Sequence, residues 1–265
     1  MPIIDPTRLH HQIQECFAKQ NHTREFVASI KELLDLYSDR TYRPGELATL
    51  PSALKSYHVP QPLLRTLIKE LARLSQSQPL LAIENANLLW EQPYHECKVL
   101  AIALLENLPV EMESKIYTIA EQWVSTCNHS ELTASIAHNA LKSLRLKRPA
   151  SLIEQARKWI LDQRHSLRKF GLMVIEEISL TISFSDLPLL FRVISPYFNR
   201  CPSQIFPEVV AICNNLIEKS PKEMAYLMRK AILDNPTADA KKLIKTCLKS
   251  FPLEMQSELM SAIYQ

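Results

Sequence analysis

Apolar residues recur along most of the chain at the spacing of an amphipathic α-helix. Leu132, Ile136, Ala140 and Leu144, for example, fall on one helical face at intervals of four residues. No segment alternates apolar and polar residues at period two for the length of a strand. The pattern therefore predicts an all-α protein.

The helical segments follow one another with short polar breaks between them. Prolines stand where the apolar periodicity restarts, a helix position that tolerates the missing N–H. We predict two helices within 6–38 and a short one at 44–56. The predicted regular series is 62–75, 79–90, 96–108, 112–123, 130–146, 151–160, 165–180, 186–198, 203–219, 222–233, 238–251 and 253–264.

A Trp followed, after a short break, by a His marks three of the helix pairs. The copies are Trp90 with His95, Trp123 with His129, and Trp159 with His165. The tryptophans are 33 and 36 residues apart, a period typical of stacked helical hairpins. We therefore predict an α-solenoid of antiparallel helix pairs, with buried tryptophans and with histidines that cap or pack at the hairpin corners.

This solenoid is expected to form one domain over 1–265, with less regular helices in 1–55 and regular pairs in 56–265. Only two glycines, Gly45 and Gly171, occur in the chain, which argues against glycine-rich phosphate loops of the Rossmann or P-loop kind. Six scattered cysteines form no CxxC or close Cys/His spacing, so we expect neither a metal site nor a disulfide framework. No signal peptide or membrane span is readable, and we expect a cytoplasmic protein without a membrane role.

Four short segments resemble the DNA alkylation repair family of HEAT-like repeat proteins, the AlkD-type DNA glycosylases. They are Ser56-Tyr57-His58-Val59-Pro60-Gln61-Pro62-Leu63-Leu64-Arg65, Leu88-Leu89-Trp90-Glu91-Gln92-Pro93-Tyr94-His95-Glu96, Lys158-Trp159-Ile160 and Leu167-Arg168-Lys169. His58 stands where the family usually has glycine. The likeness keeps the family's order from about residue 55 to residue 219, and it implies that the His95-Glu96 pair bonds within a repeat.

The resemblance implies a curved stack of helix pairs whose concave face holds a DNA duplex. It also implies an activity, the removal of N3- and N7-alkylated purines, which uses an Asp beside the deoxyribose and tryptophans around the lesion. A carboxylate stabilises the positive charge that develops on the sugar, and aromatic faces attract the cationic base.

Carried over residue by residue, the family's catalytic groups are missing from this chain. The Trp and the Asp of the catalytic motif fall on Ser130 and Ala134, and the later lesion-lining Trp falls on Ala211. The arginine that supports DNA falls on Lys169. We therefore expect no catalytic residue. Glu131, one helical turn away, is the fallback carboxylate, although its position also suits a charge that complements a helix N-terminus.

Positive charge is unevenly distributed although the net charge is only +3. Residues 142–172 contain nine basic and two acidic side chains. Such clusters contact DNA phosphates or simply form a solvated outer face. The candidate DNA-binding residues are Lys142, Arg164, Arg168, Lys169, Lys241, Lys242 and Lys245.

The sequence thus predicts a protein that binds duplex or branched DNA, without glycosylase activity and without a metal or small-molecule cofactor. Two alternatives stay open. One is an active alkylpurine DNA glycosylase with a displaced carboxylate, and the other is a helical-repeat scaffold that binds a protein partner.

Overall fold

The computed structural model describes residues 5–39 and 54–264. Within these ranges the regular secondary structure is helical, apart from one isolated parallel bridge between Lys55 and Tyr94. The all-α helical-repeat prediction is therefore confirmed. Most of the predicted short helix at 44–56 lies outside the described residues. No helix in the described part of the chain has both the length and the hydrophobicity that crossing a membrane requires.

The first helices are α1 Pro6–Phe17, α2 Thr23–Leu36, α3 Gln61–Ser77, α4 Pro79–Trp90, α5 His95–Glu106, α6 Glu113–Thr126, α7 Ser130–Ser135 and α8 Lys142–Lys147. A π-helical segment, Ile136–Ala140, separates α7 from α8. The chain continues with α9 Pro149–Ile160, α10 His165–Leu180, α11 Leu187–Ile194, α12 Pro196–Asn199, α13 Phe206–Lys219, α14 Pro221–Asp234, α15 Ala238–Cys247 and α16 Leu253–Tyr264.

Two predicted helices are interrupted in the structure. The helix predicted at 130–146 contains the π-helical segment, which inserts extra backbone into one turn. The helix predicted at 186–198 divides into α11 and α12 at Ser195. Pro196 explains this second break, because its ring cannot donate the hydrogen bond that would continue α11.

The described residues divide into two compact units between Ser143 and Leu144. In the first unit, α5 packs against α3, α4 and the π-helical segment. In the second unit, α10 packs against α9 and α13, and α13 contacts α14 and α15. The assignment of 1–265 to one domain stays a prediction.

Hydrogen bonds between polar groups link positions about one repeat apart within each unit. Their donors and acceptors are separated by 36 to 38 residues: Trp123 to Asn87, Ser143 to Glu106, Asn215 to Ser179, Lys219 to Thr181, Thr237 to Asn199, and Ser250 to Asn214. This separation is close to the spacing of the tryptophans. The regular separation shows that successive helix pairs contact each other through positions that recur once in each repeat.

The tryptophans are buried, as the sequence predicts. Trp90 and Trp123 stack in the first unit with their ring centroids 4.4 Å apart, and Trp159 packs against Phe170 in the second unit. Aromatic pairs of this kind add to the free energy gained by burial. The prediction that Trp123 is a hairpin residue equivalent to Trp90 is confirmed.

The histidines lie at hairpin corners, because His95 and His165 begin α5 and α10 and His129 precedes α7. The N-cap residues of these three helices make no side-chain capping bond. His129 is the N-cap residue of α7 and does not cap it through its side chain, whereas His95 and His165 follow the N-cap residues Tyr94 and Arg164. The place of the histidines at the corners is confirmed.

A close approach of two helices explains Gly171 of α10. A Cβ atom at this position would lie 2.8 Å from the carbonyl oxygen of Ala156 and 2.9 Å from the backbone nitrogen of Ile160, both in α9. Backbone atoms cannot rotate away as a flexible side chain can. Glycine therefore lets α9 and α10 pack closely within the second unit.

Glu96 ties the segment before α3 to α5. Glu96 is 3% exposed, and its carboxylate accepts hydrogen bonds from the Ser56 hydroxyl at 2.7 Å, the Tyr57 N–H at 3.1 Å and the His58 N–H at 2.8 Å. Burial favours the neutral acid, but these hydrogen bonds outweigh it and lower the pKa of Glu96. Glu96 therefore has a structural bonding role, as the resemblance implies, but its partners lie 38 to 40 residues earlier in the chain and not within its own repeat.

Glu96→Gln should lower the free energy of unfolding at pH 7 by about 1–3 kcal/mol, because an amide offers one acceptor oxygen to three donors. The folded pKa lies below the unfolded value of about 4.3. The carboxylate therefore contributes to the free energy of unfolding above that pH, and this contribution is lost as the pH falls through the folded pKa. Urea unfolding of the wild type and of Glu96→Gln at pH 7 and at pH 3 would measure how the difference in their free energies of unfolding depends on pH. A difference between the two proteins that is undiminished at pH 3 would contradict the prediction.

His58→Gly should raise the free energy of unfolding by about 0.5 kcal/mol. His58 has a φ of 52°, the left-handed region, which costs an L-residue more than it costs glycine. Thermal unfolding would measure the change. The matched control is His95→Gly in the first turn of α5, where glycine should lower stability by up to about 1 kcal/mol. Equal losses in both variants would refute the interpretation of the His58 backbone.

Candidate nucleic-acid interface

The start of α10 carries three of the basic residues that the sequence singles out. Arg164 is the N-cap residue, and Arg168 and Lys169 follow within the first five residues of the helix. No acidic residue lies in the first turn, and the N-cap makes no side-chain capping bond. Cations at this end are repelled by the positive end of the helix dipole. The fold must therefore hold these side chains by other contacts.

Asp162 provides one of these contacts from the corner between α9 and α10. Its Oδ1 atom accepts hydrogen bonds from the Arg164 N–H at 2.8 Å and from Arg164 Nε at 2.9 Å, and Arg164 Nη2 lies 2.9 Å from Oδ2. These bonds to Arg164 lower the pKa of Asp162 to about 2. Arg168 Nη2 donates to the backbone carbonyl of Asp162 at 3.2 Å. Both guanidinium groups are thus anchored at the same corner.

Glu208, in the first turn of α13, holds the third cation. Lys169 Nζ lies 2.9 Å from Glu208 Oε1, and the Glu208 side chain is 9% exposed. The Oε2 atom is buried without a hydrogen-bond partner among the described residues. A carboxylate in a first turn is stabilised by the helix dipole. The pair therefore joins the starts of α10 and α13.

The same turn of α13 also contacts α15. Lys242 Nζ lies 4.5 Å from the centre of the Phe206 ring, a cation–π distance. The first turn of α13 thus contacts two cations, Lys169 from α10 and Lys242 from α15. We call Arg164, Arg168, Lys169 and Lys242 the basic row.

The remaining candidate cations lie outside this set of contacts. Lys241 and Lys245 flank Lys242 on α15, where Lys241 is half-buried and Lys245 is exposed. Lys142 belongs to the first unit, where its Nζ atom lies 3.2 Å from Glu106 Oε1. The structure therefore links the candidates of α10 and α15 through α13 and places Lys142 in a separate ion pair.

The positions that the sequence analysis matched to the family's catalytic residues, and the fallback Glu131, lie on α7 and α13. Ser130, Glu131 and Ala134 are exposed on α7, and Ala211 is a half-exposed residue of α13. Glu131 occupies the first turn of α7, which fits its interpretation as a charge that complements the helix dipole.

Three residues that the sequence analysis did not select organise the basic row, namely Asp162, Phe206 and Glu208. Glu208 follows Lys169 by 39 residues, which is close to the separation of the hydrogen bonds between repeats. Combining that period with opposite charge could have identified this pair. No comparable signal pointed to Phe206, whose role depends on the packing of α15 against α13.

Comparisons with known proteins give one family and one weak structural likeness. A family model described as DNA alkylation repair enzyme matches residues 30–232. No curated protein matches the chain. Among solved structures, the chain is similar to an engineered protein whose crystal structure was determined by the Northeast Structural Genomics Consortium. That likeness has 16% sequence identity and a TM-score of 0.33 over 77% of this chain and 88% of the other, and it carries no argument about fold or function.

Proposed function

The chain belongs to the DNA alkylation repair enzyme family, and we propose that it binds duplex or branched DNA through the basic row without removing bases. The observation that carries this proposal is that the first turn of α13 contacts Lys169 of α10 through Glu208 and Lys242 of α15 through Phe206. Phosphates favour both the amide groups of helix N-termini and nearby basic side chains.

The pairing of the cations is compatible with DNA contact. The side chains of Arg164 and Lys169 are 49% and 37% exposed although each has a carboxylate partner. A partner that fixes the position of a cation reduces the side-chain entropy that is lost when a phosphate binds. We therefore expect Asp162 and Glu208 to orient the basic row for DNA as well as to balance its charge.

The residues at the matched catalytic positions support the proposal that no base is removed. The π-helical segment begins two residues after Ala134, so a shift of one residue in the match would select Thr133 or Ser135. Neither side chain is a carboxylate. Within 130–140 the sequence contains one acid, Glu131, and no Trp. Stabilisation of a positive sugar in the transition state requires a negative group beside it.

DNA affinity should fall at least tenfold in Arg168→Ala/Lys169→Ala at low salt, because two phosphate contacts are lost. The slope of log affinity against log salt should become less steep by about 1.8, at roughly 0.9 for each contact. Fluorescence anisotropy with a labelled duplex and a labelled four-way junction, at several salt concentrations, would measure both quantities.

The control for this test is Lys219→Ala/Lys222→Ala. Lys219 ends α13 and its Nζ atom donates to the Thr181 carbonyl just after α10, so this pair of cations lies at the opposite end of α10 and α13. The control removes the same charge and should weaken binding less than threefold. Equal weakening in both double variants, or no binding by the wild type at low salt, would refute the proposed interface.

Incubation with DNA containing N7-methylguanine or N3-methyladenine should release no alkylated base above the rate of spontaneous loss. Chromatography of the released bases would measure this. The comparison variants are Glu131→Gln and Glu208→Gln, since Glu208 is a buried carboxylate one helical turn before Ala211. Release by the wild type that disappears in either variant would contradict the proposal and establish a glycosylase with a displaced carboxylate.

A further inference from the structure

A groove on the second unit combines an apolar floor with three arginines. It lies between the C-terminal end of α9 and the helices α11 and α12, and its volume is about 330 Å³. Its lining residues are Arg157, Ile160, Leu161, Arg192, Val193, Pro196, Tyr197 and Arg200. None of these residues was selected as a site residue from the sequence.

The floor of the groove exposes apolar surface that the fold leaves uncovered. Leu161 follows α9 directly and is 80% exposed. Pro196 is also exposed, the Tyr197 side chain is half-buried, and Val193, which is 7% exposed, completes the floor. Covering a leucine of this kind with another apolar side chain is favourable by about 25 cal/mol per Å² of buried area. The floor therefore suits an apolar anchor.

The arginines around this floor have unused capacity for anions. Arg192 and Arg200 are exposed, and neither guanidinium has an ion pair or side-chain hydrogen bond with the described residues. Arg157 Nη1 lies 3.1 Å from Glu154 Oε1, in a pair that is largely exposed. Planar guanidinium groups bind carboxylates through two parallel hydrogen bonds. The rim therefore complements a segment with several carboxylates.

We propose that this groove binds a segment of a partner protein that carries an apolar anchor residue flanked by Asp or Glu. The anchor contacts Leu161, Val193 and Pro196, and the flanking carboxylates pair with Arg192 and Arg200. Arginine and aromatic residues around an apolar centre are typical of energetically important protein–protein contacts. Phosphates would pair with the arginines, but they would leave the apolar floor exposed to water, so the floor favours a peptide over nucleic acid.

Selection from a random library of displayed 12-residue peptides against the full chain tests this inference. We expect enriched peptides that combine at least two acidic residues with Leu, Ile, Phe or Trp. A synthetic, fluorescein-labelled copy of an enriched peptide should bind at least tenfold more weakly to Arg192→Ala/Arg200→Ala and to Leu161→Ser. The matched control, Arg229→Ala/Lys230→Ala on α14, removes two exposed cations outside the groove and should bind as the wild type does.

DNA binding by the same variants separates this inference from the proposed function. Arg168 lies near enough to Tyr197 to oppose the rise that burial causes in the pKa of that hydroxyl, so the groove borders the basic row. Arg192→Ala/Arg200→Ala should keep duplex affinity within threefold of the wild type. The inference is overturned if no acidic and apolar peptide is enriched, if the groove variants bind the peptide normally, or if they lose DNA binding instead. The results for Arg168→Ala/Lys169→Ala do not bear on it.

Discussion

The contact between one helix pair and the next is the interaction on which the rest of this structure depends. A single amphipathic pair cannot bury its apolar face, so each pair relies on its neighbour for a core. The polar bonds across 36 to 38 residues show how regularly the neighbours meet, as in Asn215 with Ser179 and Thr237 with Asn199. This stacking brings the first turns of α10, α13 and α15 together, and the candidate interface follows from it.

Two features at the starts of α10 and α15 favour negative charge. The opening amides of a helix lack partners within the helix, and the basic row adds cations at the same place. Glu208 and Asp162 offset part of this charge through Lys169 and Arg164. In the proposed function, DNA phosphates supply the remaining negative charge. The apolar floor beside Leu161 distinguishes the neighbouring arginine groove.

Much of the fold was predictable because it depends on local patterns. The bounds of α4, α10 and α16, the burial of Trp123 and the bonding role of Glu96 all follow from periodicity or from the family resemblance. The π-helical segment was not predictable, because Ile136–Ala140 continues the apolar spacing of an α-helix. The candidate site was harder to predict from the sequence. Lys169 pairs with Glu208, and Lys242 with Phe206, only because α13 lies between α10 and α15.

Amide hydrogen exchange of the full chain, with and without a saturating duplex, tests the central claim most directly. The account predicts that DNA slows exchange in the first turns of α10, α13 and α15, where phosphates would cover the amide groups. The C-terminal turns of α10 and α13 should exchange at the same rate in both samples. Protection that is absent from the three first turns, or that is confined to residues outside the second unit, would contradict the account.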